Sequence, residues 1–246
     1  MLRSLCHLKG KLSEKVFIAK TFERNVYPLC LNISGRLCVV IGGGPVAERK
    51  VGGILNADGL VRVVSPVVTP GLEVLAEHRA IEWLQKTYSR SDLDGALLVF
   101  AATNDPHVQQ EVCRDARMAG LLINVGDAPE DCDFQVPAVI RRGDLTLSAA
   151  TNGASPAVAA MVRRRLEREF GEEYALLTVL AGLIRAQLLA EGRRSGEVKL
   201  LFEKILCDDI VQWLQQRRWD KVQQHVESIL GWPSGMAREI LNKVIP

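Results

Sequence analysis

Residues 37–50 read LCVVIGGGPVAERK, and this stretch decides the fold. The apolar run Leu37–Ile41 has the length and the β-branched content of a buried parallel strand. It leads directly into three glycines and then into a helical pattern. The spacing Gly42-x-Gly44-x-x-Ala47 is typical of the strand–turn–helix that binds dinucleotides. The stretch therefore predicts the first β–α–β unit of a nucleotide-binding sheet.

Each small residue of this turn has its own physical role. Gly42 permits the tight turn, Gly44 lets the backbone approach a pyrophosphate, and Ala47 lets the new helix pack closely on its strand. The free N–H groups and the positive dipole end of the helix would hold the phosphates. A second apolar strand at 60–64 follows at β–α–β spacing, which favours cofactor binding at Gly42, Gly43, Gly44 and Ala47 over a glycine-rich turn without a ligand.

The composition bounds the class of protein. A chain of 246 residues that is 48% hydrophobic can bury a substantial core, and we expect one large domain with a smaller one. A net charge of +2 is too small to indicate nucleic acid or membrane binding. The six cysteines form no C-x-x-C pair, which favours a reducing cytoplasm without disulfides. The apolar stretches 96–102 and 175–184 are shorter than a span of ~20 residues.

The pattern from residue 25 to 137 predicts a doubly wound α/β domain with a parallel, Rossmann-like sheet. The region before it, residues 1–24, is basic and weakly patterned, and we expect a loose extension without a signal peptide. The expected strands are 37–41, 60–64, 81–84, 96–101 and 121–125, and the expected helices are 46–56, 70–77 and 107–119.

The pattern changes after residue 137. Residues 138–141 and 145–149 flank Arg142-Gly143-Asp144 and predict an antiparallel hairpin. A helix follows, with Ser155 as its N-cap and Pro156 at its first position. Two short strands with an exposed edge need a partner sheet, which a second subunit would supply. We therefore expect 138–170 to be a dimerisation segment of a homodimer.

The last region, residues 171–246, is helical by periodicity. We expect four helices, at 172–191, 197–216, 219–230 and 234–244, forming an ordinary solvated bundle.

The end of the second strand departs from the usual motif. An acid normally stands there to hold the adenosine ribose, whereas this chain has Ser65 followed by Pro66. Ser65 is expected to hydrogen-bond a ribose hydroxyl, while Arg62 lies mid-strand and is expected to face away. The residues alone leave NAD and NADP both open.

Asp127 is the candidate catalytic carboxylate. It follows an apolar strand at the carboxyl edge of the sheet, where ligands of open α/β folds bind, and there it can serve as a general base. The alternative is an aspartate that caps the turn before Ala128-Pro129. Thr103 and Asn104 close the preceding strand on the same edge and are candidate cofactor contacts, although an Asn-Asp-Pro turn that caps the next helix is equally consistent with these residues. The spacing of histidines and cysteines indicates no metal site.

A second candidate site is the turn 151–155 at a helix start, which offers amides to an anion. Arg141 and Arg142 precede it and three consecutive arginines follow it. An arginine run on a helix is usually a solvated face. Basic groups on both sides of an anion-ready terminus also suit a substrate with several carboxylates. We therefore list Arg141, Arg142, Asn152, Gly153 and Ser155 as candidate substrate-binding residues.

Taken in order, the motifs resemble one known family. They are Tyr27-Pro28-Leu29, the stretch 42–50, Ala101-Ala102-Thr103-Asn104, residues 124–129 (NVGDAP) and residues 152–156 (NGASP). This set is similar to the precorrin-2 dehydrogenase and sirohydrochlorin ferrochelatase family, the dehydrogenase–chelatase module of siroheme synthase. The resemblance covers about residues 27–170.

The resemblance implies NAD-dependent oxidation of precorrin-2, a tetrapyrrole, to sirohydrochlorin in siroheme or cobalamin biosynthesis. Some members also insert ferrous iron or cobalt at the same site, so Fe²⁺ or Co²⁺ would be a substrate. It further implies that Asp127 is the essential aspartate and that Pro45, Val46, Pro66 and Val67 contact NAD. The rival hypothesis is a non-catalytic NAD-sensing module, which would need the cleft but neither an acid after the fifth strand nor a basic hairpin.

Overall fold

A five-stranded parallel sheet forms the first half of the chain, in a computed structural model that describes residues 26–126 and 128–245. Its strand order is β3-β2-β1-β4-β5. The strands are β1 Leu37–Ile41, β2 Leu60–Val64, β3 Glu82–Leu84, β4 Leu98–Ala101 and β5 Leu122–Val125. The predicted doubly wound class is confirmed. The expectation for residues 1–24 lies outside the described residues.

The order of the strands reverses at β1. This strand pairs with β2 on one side, where Ile41 lies opposite Val64, and with β4 on the other, where Ile41 lies opposite Ala101. The reversal opens a crevice at the carboxyl ends of β1 and β4, the position at which open α/β sheets bind ligands. The glycine turn begins at this point.

Helices cover both faces of the sheet. They are α1 Pro45–Leu55 and α2 Pro70–Glu77 on one face, and α3 Pro106–Met118 on the other. Side chains alternate between the faces, so Val40 packs with α1 while Val39 packs with α3. Short 3-10 turns occur at Arg90–Leu93 and Pro129–Asp131. The predicted bounds of the sheet and its helices differ from these by at most two residues.

The hairpin–helix segment, residues 138–169, comprises β6 Ala138–Arg142, β7 Leu145–Ala149 and α4 Pro156–Glu169. The predicted cap is confirmed, since the Ser155 hydroxyl accepts the Val158 N–H at 3.3 Å and Pro156 is the first helical residue. Throughout α4, all of which is described, no residue is buried. Val158 and Met161 are 45% and 56% exposed. The described residues therefore leave Val158 and Met161, the apolar seam of α4, largely uncovered.

The remaining described residues form a helical unit with its own core. Its helices are α5 Glu173–Ala190, α6 Ser195–Ile205, α7 Asp208–Gln215, α8 Trp219–Leu230 and α9 Met236–Leu241. The expectation of one helix over 197–216 is wrong. The helix is interrupted at Leu206 and Cys207. Cys207 has an extended backbone (φ −112°, ψ 164°) and is the N-cap of α7. Asp208 and Asp209 then complement the dipole of the new helix.

Helix α5 is unusually apolar. Over the described residues it is the one helix with the length and composition of a membrane span, with 18 residues and a mean hydropathy of 1.4. Leu180, Ile184 and Leu188 of this helix are buried in the core of the helical unit. A core helix of a folded domain passes the same test, so the finding is weak evidence for a membrane.

Candidate functional site

The glycine turn is tied to the strands on both sides. Gly42 has φ +116°, and its N–H donates to the carbonyl of Val64 at the end of β2 at 2.9 Å. A side chain at Gly42 would collide with the carbonyl of Ala102, just beyond β4. Both facts restrict this position to glycine. Gly42 therefore shapes the turn, as the motif predicts.

Gly43 and Gly44 have different surroundings. The loop after β2 folds over Gly43, whose carbonyl accepts the Thr69 N–H at 2.9 Å, and a Cβ at Gly43 would collide with the Val67 carbonyl. A Cβ at Gly44 would meet no atom of the described residues within 4 Å. Gly43 thus serves close packing, while the backbone at Gly44 is open to a ligand.

The first turn of α1 faces the crevice. Gly44 is its N-cap and Pro45 occupies its first position, so the N–H groups of Val46 and Ala47 have no carbonyl partner within the helix. Ala47 is fully buried against the sheet, as predicted. Val46 reaches the end of β5, where a Cβ at Gly126 would lie 3.9 Å from Val46 Cγ1. Helix α1 therefore begins where β1, β4 and β5 end.

Ser65, after β2, is buried beside this turn. Its hydroxyl donates to the Val67 carbonyl at 2.7 Å, and its own carbonyl accepts the Trp83 indole N–H at 2.9 Å. The hydroxyl oxygen keeps its capacity to accept a hydrogen bond. Pro66 and Val67 are exposed, Val67 by 75%. Pro66 and Val67 thus form an apolar ledge on this side of the crevice, above the Ser65 hydroxyl.

Arg62 faces away from this ledge, as predicted. Its Nε donates to Glu82 at 2.7 Å, and its Nη1 donates to the carbonyl of Asp92 at 3.1 Å. The guanidinium therefore joins β2 to β3 and to the 3-10 turn that follows.

The end of β4 turns into the cap of α3. Asp105 accepts the N–H groups of His107 and Val108 at 2.8 and 3.3 Å, and the Thr103 hydroxyl accepts the Asp105 N–H at 3.2 Å. Asn104 is exposed. The capping interpretation is therefore correct for Asp105, while Thr103 and Asn104 remain cofactor contacts by prediction only.

Asp127 itself lies outside the described residues, so its side chain is not assigned a position. Its neighbours mark the place, since the Gly126 N–H donates to the Ala101 carbonyl at 3.0 Å. The chain leaves β5 beside the carboxyl end of β4, next to the crevice. The catalytic role of Asp127 stays a prediction.

The β5 loop, residues 126–133, turns back along the open edge of β5. The Asp133 N–H donates to the Ile123 carbonyl at 2.8 Å, and the Asp133 carboxylate accepts the Ile123 N–H at 3.0 Å. The Cys132 thiol accepts the Val125 N–H at 3.1 Å. Two side chains thus replace a neighbouring strand, which closes the edge and holds both ends of the loop.

Sequence reasoning missed a polar network under this loop. The Lys50 amine donates to Asn124 Oδ1 at 2.8 Å, and Asn124 Nδ2 donates to the Phe134 carbonyl at 2.9 Å. Asn124 is only 6% exposed. Burial lowers the pKa of Lys50, and the charge of Arg49 lowers it further. The available signal was a polar residue inside the apolar strand 121–125.

Arg142 has a role that the sequence did not indicate. Its Nε and Nη2 donate to the carbonyls of Phe170 and Glu167 at 2.9 and 3.2 Å, at the end of α4. It also pairs with Glu172 at 3.4 Å. The guanidinium therefore caps α4, and its predicted contact with substrate stays a prediction. Arg141, on the opposite face of β6, is exposed.

The turn 151–155 lies against the β5 loop. Asn152 and Gly153 have φ +52° and +84°, and a Cβ at Gly153 would lie 3.6 Å from Pro129 Cβ. The Thr151 hydroxyl accepts the Ser155 N–H at 3.1 Å and donates to its carbonyl at 3.0 Å, which closes the turn. The structure therefore brings together the anion-ready turn and the loop that carries Asp127, although they are far apart in sequence.

Two family models match this chain, one over the sheet domain and one over the hairpin–helix segment. Residues 29–138 match a family model described as putative NAD(P)-binding, and residues 142–169 match one described as sirohaem biosynthesis protein central. A solved structure titled SirC, precorrin-2 dehydrogenase, is 26% identical with a TM-score of 0.67, over 82% of this chain and 100% of that one. The predicted resemblance to the precorrin-2 dehydrogenase and sirohydrochlorin ferrochelatase family is confirmed.

Curated relatives extend the family likeness. Siroheme synthases from Nitrosococcus oceani, Zymomonas mobilis and Methylobacillus flagellatus are 30%, 33% and 33% identical over 82%, 72% and 89% of this chain. These matches cover 43%, 38% and 44% of the relatives. The chain thus spans less than half the length of the siroheme synthases that it matches.

Proposed function

We propose that this chain oxidises precorrin-2 to sirohydrochlorin with NAD, in siroheme or cobalamin biosynthesis. The observation that carries the proposal is the meeting of two anion-ready turns at one edge of the sheet. The glycine turn reaches Gly126 at the end of β5, and the turn at Gly153 lies against Pro129 of the β5 loop. A dinucleotide and a polycarboxylate can therefore be held side by side.

The glycine turn fits the pyrophosphate of NAD. Gly44 leaves open space above the start of α1, and the N–H groups of Val46 and Ala47 are free of intrahelical partners. On the adenosine side, Ser65 would accept a ribose hydroxyl while Pro66 and Val67 pack against the base. When bound, NAD supplies the acceptor for the hydride that leaves the tetrapyrrole.

The acid after β5 would complete the reaction. Oxidation removes a hydride and a proton from precorrin-2, and in our proposal the Asp127 carboxylate takes the proton. Thr103 and Asn104 stand at the end of the neighbouring strand, where they would border the nicotinamide side of the crevice. Their contribution would be to orient groups and to exclude water.

The substrate side would bind carboxylates. The turn 151–155 leads into α4, where the Ala157 N–H has no carbonyl partner within the helix, and Arg141 is an exposed cation on the adjoining hairpin. Arg142 would also fix the end of α4 against the hairpin. The proposed substrate-binding residues are therefore Arg141, Arg142, Asn152, Gly153 and Ser155.

We also propose a homodimer and a cytoplasmic location. The seam of α4 and the strands β6 and β7 leave apolar and backbone groups that a second copy would cover. The proposed units are the NAD-binding domain 25–137, the dimerisation segment 138–170 and the helical domain 171–246. The cysteine content is consistent with a reducing compartment.

Insertion of a metal ion into sirohydrochlorin would be a second reaction at the same site, with Fe²⁺ or Co²⁺ as substrate. The described residues contain no group of three histidine, cysteine or acidic side chains that could hold a metal ion. A metal substrate would instead meet the tetrapyrrole nitrogens in the crevice, where Asp127 would accept their protons.

An anaerobic assay tests the proposed function. The purified chain is mixed with enzymatically generated precorrin-2 and either NAD or NADP, and absorbance reports sirohydrochlorin and reduced cofactor. We expect one NADH for each sirohydrochlorin formed, and ferrous or cobaltous ions added later test metal insertion. Binding of NAD without oxidation would overturn the proposal and favour the non-catalytic NAD-sensing module.

A further inference from the structure

Lys50 is a charged group in a largely apolar place. It lies on α1, and its Nζ is 5.6 Å from the centre of the Phe100 ring on β4. Withdrawal of an amine from water is costly unless it is hydrogen-bonded, and burial lowers the pKa of Lys50. Its Nζ donates a hydrogen bond to Asn124 Oδ1 at 2.8 Å. The amine is thus tied to β5.

Asn124 connects Lys50 to residues at the far end of the β5 loop. With its oxygen turned towards Lys50, the amide directs Nδ2 to the Phe134 carbonyl at 2.9 Å and to Cys132 Sγ at 3.6 Å. Phe134 in turn packs edge-on against Phe100, with ring centres 5.4 Å apart. Lys50 therefore selects the orientation of Asn124 that can reach residues beyond the loop.

Cys132 joins the two ends of the same loop, and we call its contact with Val125 the neck of the β5 loop. Its thiol accepts the Val125 N–H at 3.1 Å and lies 3.3 and 3.4 Å from the carbonyls of Val125 and Ala128, as a donor to either. Asp127 stands between these tied positions in the sequence. In general, ties at both ends of a loop favour a reproducible placement of a catalytic group within it.

We propose that Lys50 is a positioning residue for Asp127, which it acts on through Asn124 and the neck of the β5 loop. This inference rests on the proposed function, because it concerns the acid that we assign to proton removal. The effect of Lys50 would be on the placement of the carboxylate, and therefore on kcat more than on NAD binding.

The test compares four variants with the wild-type enzyme. Lys50→Met should lower kcat for precorrin-2 oxidation about tenfold or more, while the dissociation constant of NAD changes by less than about twofold. Lys50→Arg, which keeps a charged donor, should recover most of the loss. Asn124→Ser removes the relay and should repeat the Lys50→Met effect, including where Lys50→Met does not fold. Lys221→Met is the matched control, since Lys221 also lies over a ring, 5.8 Å from the centre of Trp213.

Hydrogen exchange supplies a readout that needs no activity. In Lys50→Met the amides of residues 125–134 should exchange faster, and Cys132 should be alkylated faster, while the amides of β1 and β2 stay as protected as in the wild type. Unchanged exchange in the loop, or a stability loss with unchanged kcat per folded enzyme, would overturn the inference.

Asp127→Asn, assayed beside these variants, separates this inference from the proposed function. If Asp127→Asn is inactive and Lys50→Met turns over like the wild type, the positioning role is wrong and the function stands. If Asp127→Asn keeps full turnover, the catalytic assignment is wrong, and a role for Lys50 in positioning Asp127 fails with it.

Discussion

The sheet and the hairpin–helix segment differ in how completely one chain covers them. In β1, Cys38, Val39 and Val40 are fully buried, because helices lie on both faces of the sheet. In α4 no residue is buried, and Val158 and Met161 are about half exposed. The sheet is therefore a finished core, whereas the segment has an apolar seam that the other described residues do not cover.

The two regions also divide the proposed chemistry. The finished core supplies the rigid glycine turn, which positions a cofactor by backbone geometry. The uncovered segment supplies the turn 151–155 and Arg141, on the side where we propose the substrate binds. If assembly completes the second half, as we propose, cofactor binding and substrate binding can be lost separately.

A charge in the sheet should have the largest effect. Val99→Asp places a carboxylate on β4 at a position that is 0% exposed and packed with Val39 and Ile123. The cost of burying this unpaired charge, about 4 kcal/mol or more, is comparable to the stability of a domain, so we expect no cooperative folded state. Circular dichroism and urea denaturation measure this. A near-normal midpoint for Val99→Asp would contradict the account of the core.

Charges in the seam should act on assembly instead. The double variant Val158→Asp with Met161→Asp should weaken self-association at least about a hundredfold, or roughly 2.7 kcal/mol, while the chain stays folded. Analytical ultracentrifugation over a concentration series measures the shift from dimer to monomer. A wild type that is monomeric at every concentration would refute the proposed homodimer.

Glycine substitutions should distinguish cofactor binding from folding within the sheet. Gly44→Val enters open space, so we expect NAD affinity to fall about tenfold or more with the free energy of unfolding changed by less than about 1 kcal/mol. Gly43→Ala is the contrasting variant, since its Cβ collides with Val67 and should lower stability. Titration calorimetry and urea denaturation separate the two. Full NAD affinity in folded Gly44→Val would exclude the proposed pyrophosphate site.

The smallest expected effect comes from the buried thiol of β1. Burial raises the pKa of Cys38 from 9.0 to about 11. The folded state therefore holds this proton more tightly than the unfolded state, so stability is complete below pH 9 and declines as the pH rises towards 11. At pH 10 the loss attributable to Cys38 is roughly 1 kcal/mol.

Urea denaturation between pH 8 and 10.5 measures how steeply the free energy of unfolding falls with pH. We expect a steeper fall for the wild type than for Cys38→Ala. The exposed Cys30 is the internal comparison, since it should react with iodoacetamide in the folded protein while Cys38 should not. Equal pH slopes for the two proteins would show that the thiol is not desolvated.

The sequence was informative where one physical rule dominates. Alternating apolar strands and glycines predicted the sheet, and Ser155-Pro156 predicted the start of α4, because strand burial and helix capping are local effects. The break at Cys207 was missed, because the apolar period continues across it. Sequence reasoning also missed three sets of contacts: those of Arg142, those that Cys132 and Asp133 make with the edge of β5, and the Lys50–Asn124 hydrogen bond. These join positions up to 74 residues apart, which no local pattern reveals.

In the candidate site, too, the features set by local backbone geometry were predictable and the long-range contacts were not. Gly42 has the backbone conformation and Ala47 the burial that the motif requires, while the contact of Gly44 with a pyrophosphate stays a prediction. The substrate side was less predictable, because a positive residue in a loop can bind a ligand or cap a helix, and only the fold distinguishes Arg141 from Arg142.

The central claim is that the acid after β5 takes the proton in precorrin-2 oxidation. The most direct measurement is anaerobic single-turnover oxidation of precorrin-2 by wild type and by Asp127→Asn at saturating NAD. We predict NAD affinity within about twofold of the wild type and an oxidation rate at least about a hundredfold lower. Oxidation by Asp127→Asn at the wild-type rate would contradict the claim.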